Sequence, residues 1–273
     1  MRKSGILLAI SSIPSKYGIG SFSKEAYEFV DFLEKAGQSL WQILPLGPTG
    51  YGDSPYQSFS TFAGNPYYID LEEFITKGYL TKEECDNSDL GDGEFVDYEK
   101  IFHAKFKLLK KAFLKSNLEE NRDYQEFIEK NEGWLDDYAL FMALKDSFGG
   151  ISWIEWDNDI KLRKKSVLAK YRKELAQEIA FYKFQQYYFA KQWKELKGYA
   201  NDKGIEIVGD IPIYVALDSA DTWANPQLFQ VDEECIPIAV AGCPPDAFSA
   251  TGQLWGNPLY DWEYMKKTDY AWW

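Results

Sequence analysis

Apolar residues near the amino terminus occur first as a short continuous run and then at helical spacing. The unbroken apolar stretch from Ile6 to Ile10 is typical of a strand that is buried on both faces. A helix is predicted to begin after Ser23 and to end near Gly37, because serine is a common N-cap and glycine often terminates helices. A second apolar run follows at Leu40 to Leu46. Strand, helix and strand in this order predict a βαβ unit with a parallel sheet.

The pattern changes in the middle of the chain and later returns. Charged, amphipathic helical stretches, including Ile101 to Leu114 and Trp134 to Phe148, dominate residues 76–167 and predict a helical insertion. A long periodic helix over about Leu175 to Ala200 then leads to the apolar run Ile205 to Val208, which is predicted to be the next strand. The sequence therefore predicts an α/β protein in three parts. Residues 1–75 hold the first strands and a helix, residues 76–167 the insertion, and residues 168–273 the long helix, the next strand and a long loop rich in proline and glycine.

Composition narrows the classes of partner. Of the 273 residues, 45% are hydrophobic and 17% aromatic, which is enough to bury a sizeable core. The formal charge of −13 disfavours binding to nucleic acids and to anionic membrane surfaces. No apolar stretch approaches the ~20 residues of a transmembrane helix. The three cysteines are widely spaced and form no CxxC pair, so we expect a reduced, cytoplasmic protein. We infer no obligate protein partner.

Three segments combine hydroxyl, amide and aromatic side chains. Residues 50–60 follow the second predicted strand, residues 209–214 place an aspartate directly after the third, and residues 242–258 join rigid turns to an amide and an indole. A glucose ring offers hydroxyls at its rim and an apolar C–H face, so this mixture suits a sugar site. Residue types alone leave alternatives open. The tyrosines could pack on neighbouring elements, Asp210 could cap a turn or pair with a buried base, and Trp255 could belong to the core.

These segments, taken in order, resemble the amylomaltase family, glycoside hydrolase family 77. The resemblance rests on residues 51–60, 209–214, 218–224 and 242–260 and covers nearly the whole chain. It implies a (β/α)₈ TIM barrel with inserted subdomains, of which this chain holds the first part. It also implies transfer of an α-1,4-glucan segment, with retention, to the 4-hydroxyl of an acceptor glucan or glucose. The implied partners are maltooligosaccharides and α-1,4-glucans, and the family's reaction uses no metal or organic cofactor.

The resemblance further implies roles for individual residues. Tyr56 would cover the donor sugar at the cleavage point, and Ser54 would line the same loop. Asp210 would hydrogen-bond glucose hydroxyls there. Gln253 and Trp255 would belong to a long flexible loop that lies over the bound glucan and shields the reaction intermediate from water.

The catalytic residues that the resemblance implies are not found among the 273 residues. The family's nucleophile is an aspartate in an Arg-x-Asp-His-x-Arg-Gly segment, followed later by an acid/base glutamate and a further aspartate. The sequence contains no Arg-x-Asp-His segment, and its only histidine is His103. We therefore predict the N-terminal part of a 4-α-glucanotransferase that is inactive by itself. Two alternatives stay open, namely an α-glucan hydrolase with a related barrel and a catalytically inactive glucan-binding protein.

Overall fold

The chain forms two compact units, each assembled from separated stretches of sequence. A computed structural model describes residues 2–50, 52–91 and 94–273, so Tyr51 of the first sugar-binding segment lies outside the described residues. The first unit comprises Met1–Pro48, Gly64–Glu132 and Phe181–Ile211, and the second comprises Thr49–Ala63, Gly133–Ala180 and Pro212–Trp273. The three-part division at residues 1–75, 76–167 and 168–273 stays a prediction.

A three-stranded parallel sheet forms the base of the first unit. Its strands are β1 (Gly5–Leu7), β2 (Leu40–Gln42) and β3 (Glu206–Val208), in the order β1-β2-β3. Helix α1 (Lys24–Lys35) connects β1 to β2, which pair in parallel. The predicted βαβ unit and the α/β class are therefore confirmed, and the sheet of the described residues is not closed into a barrel.

The strands are shorter than the apolar runs that predicted them. Strand β1 ends at Leu7, and Ile10 begins a short 3₁₀ helix instead of extending the strand. Ile10 and Ile43 both lie beyond the strand ends but remain 1% and 2% exposed. The residues beyond the strand ends are therefore core residues that lie outside the hydrogen-bonded ladder. Within β1 itself Leu7 is 57% exposed, so the prediction of a strand buried on both faces is wrong at that position.

Trp41 of the middle strand lies in the core of the first unit. Trp41 is fully buried, and its indole N–H donates to the carbonyl of Leu8 at 2.9 Å. Phe29 of α1 meets the Trp41 ring edge to face, with ring centroids 5.1 Å apart. Ser23 occupies the predicted N-cap position of α1, but its hydroxyl donates to the Glu25 carboxylate instead of accepting a backbone N–H.

Most predicted helices are present with somewhat different limits. The helix predicted at Ile101 to Leu114 lies within a longer one, the helix at Trp134 to Phe148 begins earlier, and the helix at Leu175 to Ala200 is nearly unchanged. After α1 the described helices are α2 (Glu72–Thr76), α3 (Lys82–Asp86), α4 (Tyr98–Lys115), α5 (Arg122–Ser147), α6 (Asn158–Lys161), α7 (Lys165–Glu174), α8 (Ala176–Asp202), α9 (Ala220–Ala224) and α10 (Trp262–Lys267). Among these helices of the described residues, none is both long enough and apolar enough to span a membrane.

The second unit contains the stretch that was predicted to be a long loop, and that prediction was wrong in part. Strands β4 (Val240–Cys243) and β5 (Gln253–Pro258) pair antiparallel within it. Gly252 leads into β5 at a φ of +74°, and a Cβ there would lie 2.5 Å from the Cys243 carbonyl oxygen. Proline and glycine therefore shape a turn and a close strand approach. A small core packs nearby, formed by Val215, Leu228, Phe229, Tyr260 and Met265.

Candidate functional site

A cavity in the second unit brings two of the predicted sugar-binding segments together. Its volume is about 360 Å³, and we call it the Trp255 cavity. Residues near position 57 form one side, and residues of β5 form another. Its lining comprises Gly50, Gln57, Ser58, Phe59, Ala216, Leu217, Asp218, Trp255, Gly256 and Asn257.

Ser54 and Tyr56 lie on a tight turn that precedes the cavity wall. The Gly50 N–H donates to the Gln57 carbonyl at 3.0 Å, and the Gln57 N–H donates to the Ser54 carbonyl at 3.1 Å. The Ser54 hydroxyl accepts from the Tyr56 N–H at 3.3 Å, so it helps to shape the turn. Tyr56 is 45% exposed, which excludes a purely internal packing role for its ring. The predicted contacts of both residues with sugar stay predictions.

Gln253 and Trp255 lie two residues apart on β5 and therefore project to the same face of the strand. The Trp255 indole N–H donates to the Gln253 amide oxygen at 2.9 Å. The Tyr214 ring lies 5.9 Å from the Trp255 ring, centroid to centroid. Trp255 is 43% exposed, so the alternative in which it is a core residue is wrong. The indole is held by two neighbours and leaves a large apolar surface at the cavity.

A chain of side-chain amides connects the turn to β5. The Gln57 amide nitrogen donates to the Asn257 side-chain oxygen at 3.3 Å, and the Asn257 nitrogen donates to the Val215 carbonyl at 3.0 Å. Asn257 is only 4% exposed, so this connection is fixed inside the unit. Sequence reasoning did not single out Asn257, and its position within the third sugar-binding segment was the only signal available.

Asp221 anchors the segment 218–224 rather than facing solvent. Its carboxylate accepts from the Thr61 N–H at 2.8 Å, and the Ala220 N–H donates to the Phe59 carbonyl at 2.8 Å. Burial raises the pKa of the Asp221 carboxyl to about 6. The segment 218–224 therefore fixes the backbone at Thr61 and at Phe59, and Phe59 lines the cavity.

Asp210 belongs to the first unit and is half-buried just beyond the end of β3 at Val208. Parallel strands present the residues after their carboxyl ends at one edge of the sheet, which is where α/β proteins commonly bind ligands. The structure therefore places Asp210 after the third strand, as predicted. Its contact with sugar stays a prediction.

The similarities to known proteins cover nearly the whole chain. Residues 8–273 match the sequence profile of the family described as 4-alpha-glucanotransferase. The chain is 56% identical over 266 residues to a 4-alpha-glucanotransferase of Clostridium butyricum, covering 97% of this chain and 55% of that protein. It is 52% identical over 275 residues to a 4-alpha-glucanotransferase of Streptococcus pneumoniae, covering 100% of this chain and 54% of that protein.

A solved structure gives the same result for the fold. Amylomaltase from Streptococcus agalactiae, solved in complex with acarbose, superposes with a TM-score of 0.95 at 47% identity. The superposition covers 100% of this chain and 56% of that one. The chain belongs to the 4-alpha-glucanotransferase family, glycoside hydrolase family 77, as its sugar-binding segments predicted. It spans about half the length of the curated relatives that it matches.

Proposed function

We propose that the protein carrying this sequence is a 4-α-glucanotransferase. It transfers an α-1,4-glucan segment, with retention, to the 4-hydroxyl of an acceptor glucan or glucose, and its parallel sheet is part of a (β/α)₈ barrel. The observation that carries the proposal is the half-exposed Trp255 indole at a cavity that is also lined by Gln57 and Asp218. The acarbose complex of the Streptococcus agalactiae amylomaltase supports an α-glucan as the ligand class. The cytoplasmic location stays a prediction.

The chemistry of the cavity wall fits a sugar. An indole face covers the apolar C–H face of a pyranose ring, and amide and carboxylate groups exchange hydrogen bonds with its hydroxyls. The Gln253 and Tyr214 contacts hold the Trp255 ring in one orientation before a ligand arrives. A preorganised wall of this kind reduces the entropy lost on binding.

The reaction is tested by product analysis. The purified natural protein is incubated with maltotriose, and the products are separated by chain length over time. Glucose together with oligosaccharides longer than maltotriose is the expected result, because transfer conserves the number of glycosidic bonds. A steady accumulation of reducing ends without longer products would show an α-glucan hydrolase instead, and binding without turnover would show a glucan-binding protein.

The first prediction concerns Trp255. In the active protein, Trp255→Ala is expected to weaken glucan binding about tenfold and to raise the share of hydrolysis over transfer. The substitution removes an aromatic surface, and a more open cavity admits water to the intermediate. The measurements are a binding titration with maltoheptaose and the ratio of hydrolysis to transfer.

Trp262→Ala is the matched control for that experiment. Trp262 lies on α10, is 52% exposed, and is not part of the Trp255 cavity lining. It is expected to leave both measurements unchanged. If Trp255→Ala keeps the wild-type affinity and transfer ratio, Trp255 has no role in glucan binding.

The second prediction concerns Asp210, the half-buried carboxylate after β3. Asp210→Asn keeps the shape of the side chain but removes a charge-assisted hydrogen bond, which is worth roughly 1.5–3 kcal/mol. Turnover is therefore expected to fall by about one to two orders of magnitude while the fold survives. Initial transfer rates and circular dichroism spectra are measured together. Asp202→Asn, at an exposed position at the end of α8, serves as the control, and wild-type turnover in folded Asp210→Asn would remove Asp210 from the site.

A further inference from the structure

A buried lysine lies directly behind the Trp255 cavity. The Lys145 side chain, near the end of α5, is 7% exposed. Its ammonium donates to Oδ2 of Asp218 at 2.5 Å and to the carbonyl of Ile151 at 3.2 Å. The ammonium nitrogen also lies 5.2 Å from the centroid of the Phe59 ring. An ammonium has three N–H donors, so two hydrogen bonds and one ring face account for all of them.

Asp218 is the more exposed member of this pair. Its side chain is 34% exposed, and it lines the Trp255 cavity. Besides Lys145 at Oδ2, the Trp153 N–H donates to Oδ1 at 3.3 Å. A carboxylate offers about four lone-pair sites, so these two contacts leave acceptor capacity for a ligand in the cavity.

The asymmetric burial of the two side chains argues for a role beyond stability. Burying an ammonium carries a desolvation penalty that a well-packed apolar side chain would avoid, so a buried ion pair is weak evidence for stabilisation. Here the buried charge fixes a carboxylate that opens into a cavity, and it balances the negative charge placed there. The result is an acceptor of fixed position, and charged acceptors form stronger hydrogen bonds with hydroxyls than neutral ones do.

We propose that Asp218 is a further glucan-binding residue and that Lys145 is its positioning residue. One Asp218 oxygen accepts a hydroxyl of the glucosyl unit that lies against Trp255, while Lys145 holds the carboxylate and the Phe59 ring in place. This inference rests on the proposed function, because that function supplies the glucosyl ligand.

The test removes one hydroxyl of the ligand at a time and compares the loss of affinity with the loss caused by neutralising the Asp218 carboxylate. The purified natural protein is titrated with maltotriose and with a set of monodeoxy maltotrioses, each lacking one hydroxyl. Asp218→Asn is expected to lower the affinity for maltotriose about tenfold, since a charged acceptor is replaced by a neutral one. For one deoxy analogue, which lacks the hydroxyl that Asp218 accepts, wild type and Asp218→Asn are expected to bind equally.

Lys145 is tested by the same titrations. Lys145→Met is expected to weaken maltotriose binding and to flatten the differences among the deoxy analogues, because the carboxylate loses its fixed position. Lys145→Arg, which keeps the charge, is expected to restore part of the selectivity. The double variant Lys145→Met with Asp218→Asn contains no unpaired buried charge and keeps the test informative if a single variant fails to fold.

Asp159→Asn is the matched control, because Asp159 also pairs with a lysine, Lys164, at 2.5 Å but at an exposed position. It is expected to leave every affinity unchanged. If wild type neither binds nor transfers glucans, the proposed function fails and this inference with it. If wild type binds and transfers, and folded Asp218→Asn keeps its affinity and its selectivity among deoxy analogues, the inference alone is overturned. If the Asp218 or Lys145 variants have a lower melting temperature but unchanged selectivity, the ion pair between Lys145 and Asp218 has only a structural role.

Discussion

The 273-residue polypeptide, expressed by itself, is expected neither to transfer nor to hydrolyse α-1,4-glucans above the uncatalysed rate. A retaining mechanism needs two carboxyl groups about 5–5.5 Å apart across the scissile bond, one to attack and one to protonate the leaving oxygen. The resemblance puts the attacking aspartate in an Arg-x-Asp-His segment, and the sequence contains none. The polypeptide also spans only about half the length of its curated relatives.

Three carboxylates of the segments that carry the resemblance, all in the second unit, are held by other contacts. Asp218 is bound by Lys145, and Asp221 is bound by the Thr61 N–H and is 5% exposed. Asp246 accepts the N–H of Phe248 at 2.8 Å and so shapes its own turn. Each of these groups is already used by a binding or structural contact, which is why we expect no turnover.

The measurement is an incubation of the purified polypeptide with maltotriose, followed by separation of the products by chain length. The polypeptide is produced in a host that lacks amylomaltase, and the Clostridium butyricum 4-alpha-glucanotransferase is assayed in parallel as the positive control. Turnover that scales with the polypeptide concentration would contradict the prediction and would place catalytic groups among these residues.

Much of the fold could be predicted because local patterns and burial agree. The apolar run at Leu40 and the amphipathic pattern of α1 both reflect packing around Trp41, so strand, helix and strand were correctly placed. Strand ends could not be predicted, because Ile10 and Ile43 are buried without belonging to the ladder. Strands β4 and β5 were missed because their pairing depends on close backbone approach at glycines, which resembles a loop in the sequence.

The candidate site was only partly predictable for a similar reason. Trp255 and Gln253 stood out because indoles and amides in a proline- and glycine-rich segment suit a sugar site. Lys145 gave no such signal. It follows Leu144 and lies four residues after Phe141, both buried, so its sequence position is that of a core residue in a helix. Only the fold shows that its ammonium reaches Asp218 across 73 residues of sequence.

A buried lysine of the first unit, Lys105, leads to the second large expected effect, on stability. Lys105 of α4 is 1% exposed, and its ammonium donates to the Tyr67 carbonyl at 2.5 Å. Burial lowers its pKa from 10.5 to about 8, although Asp70 and Cys85 nearby act in the opposite direction. Each pKa unit is worth about 1.4 kcal/mol, so the charged form is destabilised by about 3 kcal/mol in the folded protein.

The pH dependence follows from the direction of this change. Below pH 8 the lysine is protonated in both the folded and the unfolded chain, and the full penalty is present. Between about pH 8 and 10.5 the unfolded chain holds a proton that the folded protein has released, so stability rises with pH through that window. Removing the ammonium should therefore stabilise the protein at neutral pH and lose that advantage in alkaline solution.

Lys105→Met is expected to raise the free energy of unfolding by about 2 kcal/mol at pH 7. It removes the penalty of about 3 kcal/mol but leaves the Tyr67 carbonyl without its donor, at a cost of about 1 kcal/mol. Near pH 10.5 the order should reverse, with wild type more stable by about 1 kcal/mol. Urea unfolding curves at both pH values measure the difference. Lys107→Met, at an exposed position on the same helix, should show no such reversal. If Lys105→Met is less stable than wild type at pH 7, or if its difference from wild type does not change with pH, the buried ammonium is not the destabilising group proposed.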